Sequence, residues 1–251
     1  MANECDTEFW EGMSDVYSAD DQADAPQRIV DRLFDTGSIT GSDCVLEVGA
    51  GPGTYSLLLA HRVRILVCMD SSETMLDRLF ANREVLEGCR VERFHQDWAT
   101  YEPRKGYDFC FASLLPRSAS GSSMERMEGA ARRGCAIVCW ESRWGDTLTG
   151  EVSSRLGTDT RLPVRGSTFY EDWLSDHHRD FHIERFPTTA YRTVPLQQLV
   201  DSEVTRFRMY GVEGDVAGAV TDILAPDTED GVVRVKAENV LRLVRWDCPQ
   251  A

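Results

Sequence analysis

The sequence contains no Cys-x-x-Cys pair, and its five histidines, His61, His95, His177, His178 and His182, do not add the spacing of a zinc site. A structural zinc module is therefore excluded, and His177, His178 and His182 read as surface histidines of a helix. Five of the eight cysteines, Cys44, Cys68, Cys110, Cys135 and Cys139, lie in apolar, strand-like runs, where a reduced thiol packs as a small hydrophobe. A disulfide scaffold is not expected; core thiols in a reducing compartment are. No apolar run approaches the roughly 20 residues that span a bilayer. Residues Met1 to Asp6 have neither a basic run nor an apolar stretch, so no secretory leader is expected. A soluble, cytoplasmic protein follows. Positive charge is scarce too: 27 Lys and Arg against 42 Asp and Glu give a net charge of −15. Such a surface repels nucleic-acid backbones and anionic membranes, which excludes both as expected partners. The small basic group Arg126, Arg132 and Arg133 reads as cations near a helix C-terminus.

What is present is an alternation of strands and helices. Residues 8 to 34 are helical in pattern: Phe9, Met13, Val16 and Tyr17 recur at 3 to 4 spacing, and Ile29, Val30, Leu33 and Phe34 repeat it after Pro26. Short apolar strands follow at 44–48, 64–69, 91–94, 107–113 and 135–140, with helical stretches at 55–61, 73–84 and 122–132. This is the pattern of a parallel sheet with crossover helices. The fold class expected is α/β and Rossmann-like, with a mostly parallel seven-stranded sheet, helices on both faces and a helical insertion late in the chain. As a single domain it divides into an N-terminal helical cap (1–36), a cofactor-binding core (37–141), a substrate-side insertion (168–226) and a final strand (239–246). Residues 142–167, with Gly145, Gly150, Gly157, Pro163 and Gly166, show no sustained periodicity and are expected to cross the mouth of a site. Helices are expected at 168–177, 195–210 and 216–224, with an extended segment at 181–194 broken at Pro187.

The informative stretch is Val45-Leu46-Glu47-Val48-Gly49-Ala50-Gly51-Pro52-Gly53-Thr54, a strand running into a glycine-rich turn. Glycines let the backbone turn sharply and let a ligand lie against the main chain. Asp70 closes the next strand, where a carboxylate can accept both ribose hydroxyls of an adenosine. A dinucleotide fingerprint wants a third glycine where Thr54 stands. Glu47, two positions before the first glycine, is unhelpful beside a pyrophosphate but suits a ligand bearing ammonium and sulfonium charge. The segment thus reads as a site for adenosine with a cationic tail.

This stretch resembles motif I of the class I S-adenosylmethionine-dependent methyltransferases, and Cys68-Met69-Asp70-Ser71-Ser72-Glu73-Thr74-Met75-Leu76 resembles the acidic-loop motif that follows it. The resemblance covers roughly residues 27 to 141. It implies that S-adenosyl-L-methionine is the cofactor. Gly49, Ala50, Gly51 and Gly53 would lie against its methionine part, with Glu47 organising the loop or the amino group. Asp70 would hold the ribose, Ser71 and Met75 would border the adenine, and Asp97 would meet the adenine amino group with Trp98 alongside the ring. Ser113, at the end of the fourth strand, would face the methyl group, and Tyr17, ahead of Trp10, would close over the cofactor from the leading helix. Asn-Pro-Pro-Tyr, frequent after the fourth strand in enzymes that methylate nucleobases or glutamine, is replaced here by Ser113-Leu114-Leu115-Pro116.

The implied reaction is methyl transfer to a small-molecule acceptor by in-line displacement, which needs no nucleophile triad. Glu141, read as following the fifth strand at the carboxyl edge of the sheet, is the candidate general base where an acceptor must lose a proton. Tyr191 and Arg192 are weaker candidates for gripping an acidic group of the acceptor. Aromatics of the insertion suit an acceptor pocket, a helical subdomain core or a homodimer interface. Two alternatives stand beside this reading: a non-catalytic S-adenosylmethionine-binding accessory protein, and an NAD(P)-dependent oxidoreductase.

Overall fold

The computed structural model describes residues 22–115, 119–158, 168–209 and 212–249. Tyr17 and Trp10 lie outside the described residues. Within them, five parallel strands are laid down in the order in which the sequence offers apolar runs: β1 (Cys44–Val48), β2 (Ile65–Asp70), β3 (Val91–His95), β4 (Tyr107–Ser113) and β5 (Ala131–Ser142). Two long strands complete the sheet, β6 (Phe181–Pro195) and β8 (Val232–Asp247), with the two-residue β7 (Thr228–Glu229) paired to β8. The spatial order is β3-β2-β1-β4-β5-β8-β6, and β8 runs antiparallel to both its neighbours. The chain leaves β1 outward to β2 and β3, then returns to β4 on the other side of β1. That reversal opens a crevice at the carboxyl ends of β1 and β4, the place where open α/β sheets take ligands.

Alternate side chains of the strands feed two cores. Val45, Cys68, Phe109 and Phe111 pack under α1 (Ala25–Asp35), α2 (Ser56–Leu59) and α3 (Glu73–Phe80). Leu46, Val48, Met69 and Cys110 face α5 (Gly121–Ala130) and α7 (Phe169–Asp176). Helix α1 forms because Ile29, Val30 and Leu33 share one face and are fully buried, with Pro26 in its first turn, where the missing N–H is harmless. The stretch expected as one helix at 73–84 ends at Phe80, and a short helix α4 (Arg83–Leu86) follows.

Three departures from the sequence pattern have clear causes. Residues 144–156, where the sequence shows no sustained periodicity, form a helix, α6 (Trp144–Leu156). Its first backbone N–H is capped by Asn239 Oδ1 (2.7 Å), a residue 95 positions away, so no local capping signal exists to be read. Leu148, Val152 and Leu156 form its apolar stripe, and Gly157, at φ 64°, ends it. Pro187 does not break the extended segment, because β6 is an edge strand and a proline there forfeits no ladder bond on its free side. The final strand begins at Val232 rather than Asn239: Val233, Val235 and Ala237 are buried while Arg234, Lys236 and Glu238 are exposed. Trp140, Glu141 and Ser142 correspondingly belong to β5 itself rather than following it.

This last extension matters for the site. Strand β5 stops opposite Val240, so the paired stretches 188–195 and 232–239 of β6 and β8 project as a ribbon beyond the carboxyl edge of the parallel sheet. Helices α6, α8 (Leu196–Met209) and α9 (Val216–Leu224) cover that ribbon through a third apolar core of Val152, Val220, Phe207 and Val233. The stretch 168–226 thus contributes a sheet strand as well as helices. The seven described cysteines are free thiols; Cys44 and Cys139 are only half-buried.

Candidate cofactor site

The glycine turn is set by backbone bonds that continue the sheet. Gly49 N–H and Ala50 N–H both donate to the Met69 carbonyl (2.8 and 2.9 Å), and Gly53 N–H donates back to Ala50 (3.1 Å). Gly49 has φ 69°, and a Cβ there would stand 2.7 Å from Leu115 Cδ1, just past β4. The turn therefore presses against the loop after β4, closing the floor of the crevice. Gly51, at φ 55°, faces open space: a Cβ would meet nothing within 4 Å. Gly53, at φ 101°, is a packing glycine, with a Cβ position 2.4 Å from Leu79 Cδ1. The two positions should separate in experiment. Gly53→Ala is expected to cost about 1–3 kcal/mol of stability from strain and overlap. Gly51→Ala should cost about 1 kcal/mol of stability while weakening S-adenosylhomocysteine binding about tenfold or more, roughly 1.4 kcal/mol. Denaturant titration and calorimetry of both variants check this, and equal losses of affinity would refute the distinction.

Asp70 ends β2 with its carboxylate turned to the glycine loop. Oδ2 accepts from Gly51 N–H (2.7 Å) and Oδ1 from Ser72 N–H (2.9 Å), so one side chain ties the turn after β1 to the start of α3. Ser72 caps α3 by accepting from Met75 N–H (3.1 Å). Ser71 offers its carbonyl to His95 Nε2 (3.0 Å), and the Met75 side chain is buried in the first turn of the helix.

Glu47 is fully buried in β1, pointing to the α2 face. Ser56 Oγ donates to its Oε2 (2.6 Å), and its Oε1 has no hydrogen-bond partner among the described residues. Burial, with the nearby Asp70 charge adding to it, pushes the Glu47 carboxyl up to about 8. An orphaned carboxyl oxygen behind an open glycine turn, with a second carboxylate at the next strand end, fits a ligand with ribose hydroxyls and a cationic tail.

The remaining candidates are less concentrated. Ser113 ends β4 at the same crevice, half-buried. Asp97 is exposed, and its Oδ1 accepts from Ala99 N–H (2.8 Å) in a local turn. Trp98 is packed on the α5 face: its Nε1–H donates to Ser123 Oγ (2.9 Å) and its ring stacks on Tyr101 at 5.6 Å. Glu141 lies two strands away at the end of β5, with both carboxylate oxygens held by Arg185 Nε (3.0 and 2.8 Å). Any action of Glu141 as a base would be from within that ion pair.

Beside the turn lies a cleft of about 680 Å³. One wall comes from the start of α1 (Ala23, Pro26, Gln27), the floor from Thr54 and Leu58, and the far wall from Ala190, Tyr191 and Arg192 of β6. Nothing in local spacing ties Ser56 to Glu47 or β6 to Thr54; only the alternation of β6 hints that Arg192 shares a face with Ala190. Among the described residues no three His, Cys, Asp or Glu gather as a metal-holding group, and no helix is long and apolar enough to cross a membrane.

A doubly wound sheet with a glycine turn and carboxylate at its switch point defines a nucleoside-binding α/β protein. Residues 45–133 match the family described as methyltransferase domain. An uncharacterized protein of Haemophilus influenzae is 27% identical over 84 residues, a stretch that spans 34% of this chain and 31% of that protein's length. Among solved structures, magnesium protoporphyrin IX methyltransferase from Synechocystis with bound S-adenosylhomocysteine superposes with a TM-score of 0.54 at 14% identity, covering 96% of this chain and 94% of that one. The YcgJ protein from Bacillus subtilis gives 0.57 at 13%, covering 90% and 100%. Phosphoethanolamine N-methyltransferase 2 of Haemonchus contortus with S-adenosyl-L-methionine gives 0.55 at 16%, covering 91% of this chain and 53% of that one. The methyltransferase-domain match thus runs from β1 to the start of β5, and the chain as a whole shares the fold of these structures.

Proposed function

We propose that this protein transfers the methyl group of S-adenosyl-L-methionine to a small-molecule acceptor. The observation that carries the reading is the wall beyond the carboxyl edge, where the β6–β8 ribbon and the start of α1 bound a cleft against the glycine turn. A cleft of about 680 Å³ has the dimensions of a small-ligand pocket and is too confined for a folded macromolecule. The net charge of −15 supports the same choice against nucleic acid. Two of the structural neighbours, named for magnesium protoporphyrin IX and phosphoethanolamine, carry small-molecule acceptors in their names.

In this reading Gly49, Ala50 and Gly51 cradle the methionine part, Glu47 sits behind it, Asp70 holds the ribose, Ser71 and Met75 border the adenine with Asp97 and Trp98 nearby, and Ser113 lies toward the methyl group. The cofactor supplies a methyl on a positively charged sulfur, which an acceptor lone pair displaces in line as the carbon–sulfur bond breaks to a neutral thioether. The protein's share is alignment and exclusion of water. Gly49 pressed on Leu115 fixes the floor, and the ribbon holds the acceptor wall at a set distance.

The test is incubation of the protein with methyl-labelled cofactor and fractionated extract of the source organism. Label is expected in a low-molecular-weight product. Calorimetry should show S-adenosylhomocysteine binding and no NADH binding. Binding of NADH alone would move the protein to the oxidoreductases, and cofactor binding without label transfer in any fraction would leave the accessory-protein reading.

A further inference from the structure

We propose that Cys248 and Cys135 form a peroxide-sensitive dithiol that closes to a disulfide between β8 and β5, with Cys248 as the attacking thiol and Cys135 as the resolving one. Strand register brings the two together. Cys135 pairs with Trp246 across the antiparallel β5–β8 ladder, and Cys248 N–H donates to the Arg133 carbonyl (2.8 Å), one step beyond the last residue of β8. Directly opposed residues share a sheet face and alternate residues repeat it, so Cys135 and Cys248 are diagonal neighbours on the α5 face. Their sulfurs lie 3.6 Å apart within the second apolar core. A disulfide needs about 2.05 Å, an approach that falls to Cys248, just past β8, rather than to Cys135 inside β5.

The two thiols are not equivalent. Cys135 is fully buried, and burial holds its thiol well above the ordinary range. Cys248 keeps 6% of its surface exposed, and the hydrogen bond from Cys135 holds its thiol below the ordinary value, with Lys105 assisting against burial and Glu128. The more acidic and less covered sulfur meets the oxidant first. Cys110, registered beside Cys135 on β4, is fully buried and its thiol is pushed up, so it does not compete for that role. The Cys248 thiolate attacks one oxygen of hydrogen peroxide, the oxygen–oxygen bond breaks, and the departing hydroxide takes up the thiol proton as water. Cys248 is left as a sulfenic acid. Cys135 sulfur then attacks Cys248 sulfur, the sulfur–oxygen bond breaks, and the hydroxyl leaves with the Cys135 proton as a second water. Two thiols have lost two electrons, and the peroxide has gained them. The bond joins residues 113 positions apart and encloses α6 to α9, β6 and β8, the elements that build the acceptor side. It lies toward the amino end of β5, away from the cofactor crevice at the carboxyl edge.

The experiment exposes the folded full chain to hydrogen peroxide in stepwise molar excess, blocks the remaining thiols with N-ethylmaleimide, and maps the peptides without reduction. A linked pair holding Cys135 and Cys248 within one chain is expected, two hydrogens lighter than the free thiols and released by dithiothreitol. The cross-linked protein should melt about 5 °C or more above the reduced protein, the scale of closing a loop of this length. Cys135→Ala should leave Cys248 as a sulfenic acid that dimedone labels, Cys248→Ala should leave Cys135 a thiol, and Cys110→Ala should still form the link. The wild-type map decides the matter even where a variant fails to fold. Absence of the link while other thiols oxidise, absence of any oxidation, or a link through Cys110 overturns the proposal. So does a cross-linked protein that melts no higher than the reduced one, or dimedone on Cys135 in Cys248→Ala, which would reverse the two roles.

Discussion

Replacing Asp70 with alanine is expected to weaken S-adenosylhomocysteine binding by about 1.5–3 kcal/mol, roughly 10- to 150-fold in dissociation constant, with the protein still folded. The lower figure is what loss of hydrogen bonds from a charged acceptor to two ribose hydroxyls would remove. The structure adds a second source. Asp70 also accepts from Gly51 N–H and Ser72 N–H, so alanine releases the turn after β1 from the start of α3. The ligand would then have to order a loop that wild type presents already formed. Asp70→Asn separates the two contributions. Its amide oxygen can still accept one backbone N–H, while its NH₂ group faces the other N–H without being able to accept. An affinity between those of wild type and alanine is expected. Calorimetry on the three proteins, with circular dichroism to verify folding, decides the matter. An unchanged dissociation constant in folded Asp70→Ala would remove Asp70 from the ribose role.

Strands β1, β2 and β4 were legible because each is a short apolar run bounded by turn residues and buried on both faces, whereas β3 is the partly exposed edge strand. Val45, Leu46 and Val48 of β1 feed two different cores, which is why β1 reads as continuous apolar sequence broken only by Glu47. The glycine turn and Asp70 were legible for the same reason that they act together: both sit at strand ends, one residue past an apolar run. What could not be read depends on partners far along the chain. Asn239 caps α6, so the helix over residues 144–156 has no local start signal until β8 is in place. Pro187 looks like a break until β6 is known to be an edge. The extra length of β8 follows from the ribbon, whose outer face is exposed and so carries Arg234, Lys236 and Glu238 between its apolar residues.

The candidate site divides along the same line. Glu47 and the glycines are contiguous in sequence, Asp70 closes the next strand, and they meet in space. Thr54, Gln27 and Arg192 border one cleft but come from three separate stretches, and no spacing rule links them. Trp98, next to a motif, is also a core residue: its indole N–H finds Ser123 on the α5 face, where Met124 and Met127 offer apolar cover. Glu141 likewise stands at the carboxyl edge as its position suggests, yet Arg185 across the sheet occupies both its oxygens.

Glu47→Gln is expected to be close to wild type in stability near pH 5 and more stable than wild type by roughly 3–5 kcal/mol near pH 9. The folded-state carboxyl lies at about 8, above its ordinary 4.5, because the side chain is fully buried, with Asp70 adding negative charge nearby. Between those two values the unfolded chain has lost its proton and the folded chain has kept it. The unfolded state then binds fewer protons, so wild-type stability falls as pH rises through this window and levels off above about 8. Glutamine cannot ionise, so the gap between the two proteins opens from near pH 4.5 and is complete by about 8. Groups facing Glu47 do not cancel this: Ser56 Oγ gives one hydrogen bond, and Cys68 and Asp70 of β2 bring no positive charge. A cationic ligand would. An ammonium brought beside Oε1 by bound S-adenosylhomocysteine would favour the carboxylate, so binding at pH 7 should then release a fraction of a proton from wild type and none from Glu47→Gln. Calorimetry in buffers of different ionisation heat measures that proton directly. Parallel stability profiles for the two proteins from pH 5 to 9, or equal proton release on binding, would show that Glu47 is ionised in the ligand-free protein.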